Sequence, residues 1–139
     1  MSIAENIALR SGRANARERA TRLINEYRIK ASSPDQLAGE LSGGNQQKVI
    51  LARELDRKPE LIIAAEPTRG LDVEATRFVH DQLKHAVESG AKVVLITSDL
   101  DEAFALADTI QVIYRGKLSE QMTRNEASTR VASMMAGLA

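Results

Sequence analysis

Two short apolar runs, Leu61–Ala65 and Lys92–Thr97, flank a segment of helical period, and this arrangement constrains the fold more than any other feature of the chain. The first run, Leu-Ile-Ile-Ala-Ala, has the length and continuity of a strand covered on both faces. The second, Lys-Val-Val-Leu-Ile-Thr, is rich in β-branched residues and predicts a second buried strand. Between them Phe78, Val79, Leu83, Ala86 and Val87 recur at the spacing of one helix face over residues 73–89, and Gly90 supplies the stop. Strand, helix and strand in this order form a βαβ unit, expected to be parallel and right-handed. The fold class is therefore α/β.

The rest of the chain builds around that unit. The first thirty residues carry seven Lys or Arg against three Glu, and over residues 14–27 Ala16, Ala20, Leu23, Ile24 and Tyr27 make one apolar stripe. This predicts an amphipathic helix whose basic residues form the wet face. Ala31-Ser32-Ser33-Pro34-Asp35 breaks it with turn chemistry. A further helix is expected to start after Ser42-Gly43-Gly44, run through Leu55 and stop before Pro59, which disfavours helical geometry at Lys58. Beyond the βαβ unit, Asp99 and Glu102 stand at capping-box spacing ahead of another helix. Thr109–Tyr114 reads as a third strand, Arg115-Gly116 as a turn into a hairpin with Leu118-Ser119-Glu120, and Arg124–Ala139 as a terminal helix.

Composition narrows the function. A chain of 139 residues is one domain's worth. Nineteen Lys and Arg balance nineteen Asp and Glu, so the excess of cations that draws a protein to nucleic acid is missing. With no cysteine there is no thiolate zinc site, and a reducing compartment such as the cytoplasm suits the chain. No apolar run approaches the roughly 18 residues of a spanning helix, and Met1-Ser2-Ile3-Ala4-Glu5-Asn6 is unlike a signal peptide, so no direct membrane insertion is expected.

In open parallel sheets ligands bind beyond the carboxyl ends of the strands. The segments leaving those ends, Glu66–Asp72 and Ser98–Asp101, are polar where the strands are not. The Ser42-Gly43-Gly44 turn is a third candidate. It offers a hydroxyl, two residues that let backbone approach closely, and the positive end of a new helix, which together suit an anion. The same turn is equally a loop with a serine N-cap, and Asp72 equally the N-cap of the helix from Val73. His80 and His85 have no second ligand nearby in sequence and read as surface or boundary residues.

Leu41-Ser42-Gly43-Gly44-Asn45-Gln46-Gln47-Lys48 resembles the signature motif of ATP-binding-cassette (ABC) ATPases. Leu61-Ile62-Ile63-Ala64-Ala65-Glu66-Pro67-Thr68-Arg69-Gly70-Leu71-Asp72 is similar to that family's Walker B strand running into its D-loop. The Asn-Gln-Gln-Lys and Pro-Thr-Arg-Gly-Leu-Asp endings are most similar to the second nucleotide-binding half of importer ATPases for simple sugars and nucleosides, with the alanine pair before Glu66 nearest the nucleoside branch. The resemblance covers roughly residues 1–120. It implies a partial P-loop NTPase fold made of a helical subdomain portion over 1–40, a signature, Walker B and D-loop portion over 41–120, and a C-terminal helix over 121–139. It further implies that Ser42, Gly43, Gly44 and Gln46 line an ATP site completed by an opposing cassette, that Asp72 couples the two, and that Glu66 orients the attacking water. The implied partners are another nucleotide-binding domain and transmembrane permease subunits, which would place the chain in the cytoplasm, peripheral on the inner face of the membrane.

Three departures from the family pattern bear on mechanism. No Gly-x-x-x-x-Gly-Lys-[Ser/Thr] occurs, since Gly116-Lys117 is followed by Leu118, so nothing here cradles the β- and γ-phosphates. Ala65 puts a methyl where a Mg²⁺-holding aspartate is needed, and Ser98 replaces the switch histidine at the second catalytic position, losing a group that titrates near neutrality. The expectation is a fragment or truncated product that is inactive alone, binds ATP in trans with a partner cassette, and meets Mg²⁺ only through that partner. The alternative is a non-catalytic remnant or interaction module that keeps the half-cassette fold.

Overall fold

The computed structural model describes residues 1–12 and 14–137. They form two compact units, Met1–Ile96 and Thr97–Ala139.

The first unit opens with α1 (Ile3–Ser11), whose start is a full capping box. Glu5 N–H donates to Ser2 Oγ at 3.1 Å, and Ser2 N–H donates to Glu5 Oε2 at 2.7 Å. Ile3 and Ile7 are fully buried on its inner face. The α1 start is stitched to the turn at 34–38 by Ile3 N–H to Gln36 C=O, Ala4 N–H to Pro34 C=O and Ala38 N–H to Met1 C=O, at 2.9–3.0 Å. Helix α2 (Ala16–Glu26) obeys its stripe: Ala20, Leu23 and Tyr27 are buried, while Arg17, Arg22 and Arg28 are exposed. A short 3-10 turn (Ala38–Glu40) leads into α3 (Gly43–Leu55), which buries Val49, Leu51 and Ala52. Lys58, ahead of Pro59, takes the left-handed conformation at φ 48°, outside the right-handed helical region that the proline disfavours there.

Strand β1 (Leu61–Ala65), helix α4 (Val73–Glu88) and strand β2 (Lys92–Ile96) make the expected βαβ unit. The strands pair in parallel, Leu61 opposite Lys92 through Ala65 opposite Ile96. Helix α4 buries Ala75, Val79 and Leu83, and Gly90 follows its cap at φ 101°, a backbone conformation that glycine adopts without strain.

The expectation of buried strands is corrected. Ile62, Ala64, Val93 and Leu95 are half-buried, but the opposite face is open, with Leu61 56%, Ile63 67%, Val94 49% and Ile96 50% exposed. The runs are apolar on both faces because strands of this composition are built for cover on both sides, whereas the two-stranded sheet here is covered on one.

The second unit holds α5 (Leu100–Leu106), four two-residue strands and α6 (Arg124–Met135). Its core is Ile110, Val112, Met122, Ala127 and Val131, with Phe104 and Met134 packed against it. The third strand is also corrected. Thr109–Tyr114 is two pieces, β3 (Thr109–Ile110), antiparallel to β6 (Met122–Thr123), and β4 (Ile113–Tyr114), antiparallel to β5 (Lys117–Leu118). The break falls where Val112 N–H turns to the Ser119 hydroxyl at 2.9 Å in place of a ladder carbonyl. Arg115 and Gly116, at φ 47° and 76°, form the two-residue turn between β4 and β5, so the chain's Gly-Lys pair sits in a hairpin and not in a phosphate loop. The terminal helix is described to Met135, and residues 138 and 139 of its expected span lie outside the described residues.

Candidate functional site

Six helix starts can be compared within the chain, and one is anomalous. Ser2, Asp72, Asp99 and Thr123 each accept a hydrogen bond from a backbone N–H of the helix they precede. Ser42 precedes α3 with the same extended backbone as Ser2 and Thr123 (φ −60°, ψ 154°), yet its side chain makes no capping bond. The remaining case, Asn15 before α2, sits in the left-handed region, where capping geometry is not expected.

The Ser42 hydroxyl is occupied otherwise. Asn45 Nδ2 donates to Ser42 Oγ at 2.9 Å, while Asn45 Oδ1 accepts the Lys30 N–H at 2.8 Å. Gln46 braces the same turn by donating from Nε2 to the Leu41 carbonyl at 2.8 Å. With no side-chain cap, the Asn45 N–H joins those of Gly43 and Gly44 in having no acceptor among the described residues. Ser42 and Gly43 are exposed, and Gly44 and Asn45 half-buried, at the positive end of a 13-residue helix.

The two glycines differ. A Cβ on Gly43 would meet nothing within 4 Å, whereas one on Gly44 would stand 3.0 Å from Ala75 Cβ in the first turn of α4. That close approach brings the 41–48 turn against the helix that Asp72 caps, through Ala75 N–H donating to Asp72 Oδ1 at 2.7 Å. Lys48 adds a second tie, with Nζ 4.6 Å from the centroid of the Phe78 ring on α4 and 3.2 Å from the Arg28 carbonyl. Phe78 in turn meets Tyr27 edge-on at 6.1 Å. Burial pushes the Tyr27 phenol up to about 12, with the nearby Glu26 and Asp56 carboxylates acting in the same direction.

Glu66 leaves β1 half-buried and in the left-handed region at φ 46°, its N–H held by the Ile96 carbonyl at 2.7 Å. A bulky residue adopts this backbone only where its surroundings enforce it. Pro67 behind it is buried, and the chain turns through Gly70 at φ 75° to reach Asp72. Beside Glu66 the residues do not fit a divalent cation. Position 65 offers a methyl, and among the described residues no three His, Cys, Asp or Glu are placed to hold a metal.

Of the residues singled out by sequence, Ser42, Gly43, Gly44, Gln46 and Asp72 therefore cluster at two adjoining helix starts, and Glu66 stands at the end of the strand that leads to the second. Ser98 is exposed in the other unit, directly before Asp99, whose carboxylate caps α5 through the N–H groups of Asp101 and Glu102. Sequence reasoning missed Asn45, Lys48 and Ala75. Asn45 lies three residues after Ser42, a helical contact distance that was readable, whereas the Lys48–Phe78 and Gly44–Ala75 meetings join distant segments.

A cavity of about 350 Å³ opens among Ala14, Asn15, Glu18, Arg19 and Arg22. Arg22 pairs with Asp56, just past the end of α3, so this cavity lies by the opposite end of the helix from the Ser42 turn.

Known proteins share this arrangement. Residues 1–69 match the family described as ABC transporter. A guanosine import ATP-binding protein of Bacillus subtilis is 42% identical over 121 residues, spanning 86% of this chain and 24% of that protein. A ribose import ATP-binding protein of Streptococcus agalactiae is 40% identical over 114 residues, spanning 82% and 23%. The chain thus spans about a quarter of the length of the curated relatives it matches. Among solved structures, a dimeric ATP-binding cassette in a post-hydrolysis state with ADP and phosphate superposes with a TM-score of 0.73 at 26% identity, over 89% of this chain and 57% of that one. Motif order, βαβ topology and these likenesses agree: the chain belongs to the ABC transporter ATPases, and its fold is part of their P-loop NTPase cassette.

Proposed function

We propose that this chain presents the signature face of a composite ATP site, for which a second nucleotide-binding domain provides the phosphate-binding loop and the metal. The observation that carries the proposal is the uncapped start of α3: the Ser42 hydroxyl does not cap it, so the third N–H of the helix, which the Ser, Thr and Asp starts elsewhere bond with their own side chains, stays idle beside the first two. Each N–H given to a charged acceptor is worth about 1.5–3 kcal/mol, and the helix end adds its partial positive charge. The ligand with matching chemistry is a terminal phosphate. Neutral net charge is no obstacle, because backbone donors do the holding.

On this reading Gly43 leaves room for the phosphate, Gly44 seats the turn on α4, Gln46 braces it, and Asp72 fixes the start of α4 at the same surface. Glu66 belongs to the chain's own strand edge, where it would orient water. That edge is degenerate, since Ala65 supplies no metal ligand, and in the sequence Ser98 offers no titratable imidazole where the family carries its switch histidine. The chain therefore completes a site without running one. The wider role we propose is ATP-driven import of a simple sugar or nucleoside, beside permease subunits at the inner face of the membrane, and the guanosine and ribose import ATP-binding relatives support it. No helix among the described residues is long and apolar enough to cross a membrane.

One observation favours the rival role of a non-catalytic interaction module, the open sheet face of Leu61, Ile63, Val94 and Ile96. Titrating a ribose-labelled fluorescent ATP into a complete cassette, with and without this chain, separates the two. Signature donation predicts tighter binding with the chain, lost in Ser42→Arg, and negligible turnover by the chain alone. An unchanged titration, or robust Mg-ATP hydrolysis by the chain by itself, overturns it.

A further inference from the structure

We infer that Asn45 is a positioning residue that sets the polarity of the Ser42 hydroxyl, turning it into a hydrogen-bond donor toward the ligand. The inference rests on the reading of Ser42 as a phosphate ligand and adds to it a residue whose task is to aim that hydroxyl.

The argument begins at Lys30. A backbone N–H can only donate, so the Asn45 atom 2.8 Å from it must be the carbonyl oxygen Oδ1. This fixes which way round the amide lies. Its Nδ2 then faces Ser42 Oγ at 2.9 Å, and an amide nitrogen can only donate. Ser42 Oγ therefore spends a lone pair on Asn45, and its proton points elsewhere. No acceptor for that proton exists among the described residues, and the side chain is exposed. The oxygens of an incoming phosphate are acceptors, so they accept hydrogen bonds from the Ser42 O–H and from the idle backbone N–H groups together. Without Asn45 the hydroxyl could rotate and cap α3, as Ser2 and Thr123 do in the same backbone conformation. The anchor also explains why asparagine suits this position: one side of its amide must accept and the other must donate.

The chemistry supplies a sharp variant. In Asn45→Asp, one carboxylate oxygen still accepts the Lys30 N–H, but the other is an acceptor facing Ser42 Oγ, so the serine proton swings inward and away from the ligand. The test titrates the same ribose-labelled ATP into a complete cassette assembled with wild-type chain, Asn45→Asp, Ser42→Ala or the double variant. Asn45→Asp is expected to weaken binding by about tenfold or more, the worth of one hydrogen bond to a charged acceptor. In the Ser42→Ala background only the repulsion between the new carboxylate and the phosphate remains, so the same change is expected to cost clearly less than in the wild type. If Asn45→Asp costs the full factor in both backgrounds, or costs nothing in the wild type, the inference is overturned. If Ser42→Ala itself leaves binding unchanged, the signature reading falls, and this inference with it. Should Asn45→Asp lose its cooperative thermal transition, Asn45→Ala carries the test: it frees the hydroxyl without adding charge and is expected to weaken binding by about threefold in the wild type and not at all beside Ser42→Ala.

Discussion

Replacing Gly44 by alanine tests whether the 41–48 turn and α4 form one rigid piece. The new methyl would stand 3.0 Å from Ala75 Cβ, where carbon atoms prefer about 3.5–4.0 Å. Ala75 is 8% exposed and its Cβ is bonded straight to the helix backbone, so no side-chain rotation can relieve the contact. Helix α3 must instead shift from α4 by about 0.5–1 Å, loosening the Lys48–Phe78 contact on the same face. Overpacking of this kind costs about 1–3 kcal/mol, and the better helix propensity of alanine recovers at most about 1 kcal/mol. The net loss is about 1–2 kcal/mol. Urea unfolding followed by far-UV circular dichroism reads it as a lower midpoint at unchanged slope. Gly43→Ala, one residue away and facing open space, is the control, expected within about 0.5 kcal/mol of wild type. Adding Ala75→Gly to Gly44→Ala returns a methyl-to-hydrogen contact, so the double variant is expected to be more stable than the two single losses summed by about 1 kcal/mol. A Gly44→Ala chain as stable as wild type, or losses that simply add, refutes the rigid-piece argument.

Other outcomes follow from single contacts. Asp72→Ala removes the cap of α4 and is expected to cost about 1 kcal/mol in thermal or urea unfolding. Tyr27 carries a pH signature. Its phenol ionises near the ordinary tyrosine value of 10.0 in the unfolded chain but only at about 12 in the fold, so the stabilisation is complete below pH 10 and drains away as pH rises toward 12. Unfolding free energy measured across that window should fall by about 2–3 kcal/mol from this group, and Tyr27→Phe should flatten the fall.

The elements governed by local pattern were legible in the sequence. The α2 stripe, the stop at Lys58-Pro59 and the hairpin at Arg115-Gly116 rest on periodicity, proline sterics or turn chemistry within a few residues of one another, and the parallel pairing of β1 and β2 follows from the strand–helix–strand order. The start of α1 carries an equally local signal, Ser2 and Glu5 at capping-box spacing. What eluded the sequence is whatever depends on cover or on meetings at a distance. Apolar runs cannot report how many neighbouring strands are present, so Leu61–Ala65 read as buried when one face is open. Thr109–Tyr114 has the composition of a single strand, and only the Ser119 hydroxyl taking the Val112 N–H divides it. At the candidate site, the turn and its glycines were visible as a motif, while the division of labour between Gly43 and Gly44 depends on Ala75, thirty-one residues further on.

The unclosed start of α3 also has a dynamic consequence. A helix end whose amides lack acceptors frays more readily than one locked by a cap, so amide hydrogen exchange at Gly43, Gly44 and Asn45 should be fast in the free chain, and Asn45 faster than the capped amides of Glu5, Ala75 and Glu126 at the same helical position. A bound phosphate would then act as the cap the chain withholds, and its arrival would be recorded as slowed exchange at those three amides. The turn that meets the nucleotide is in this sense also its own reporter, gaining order on occupancy.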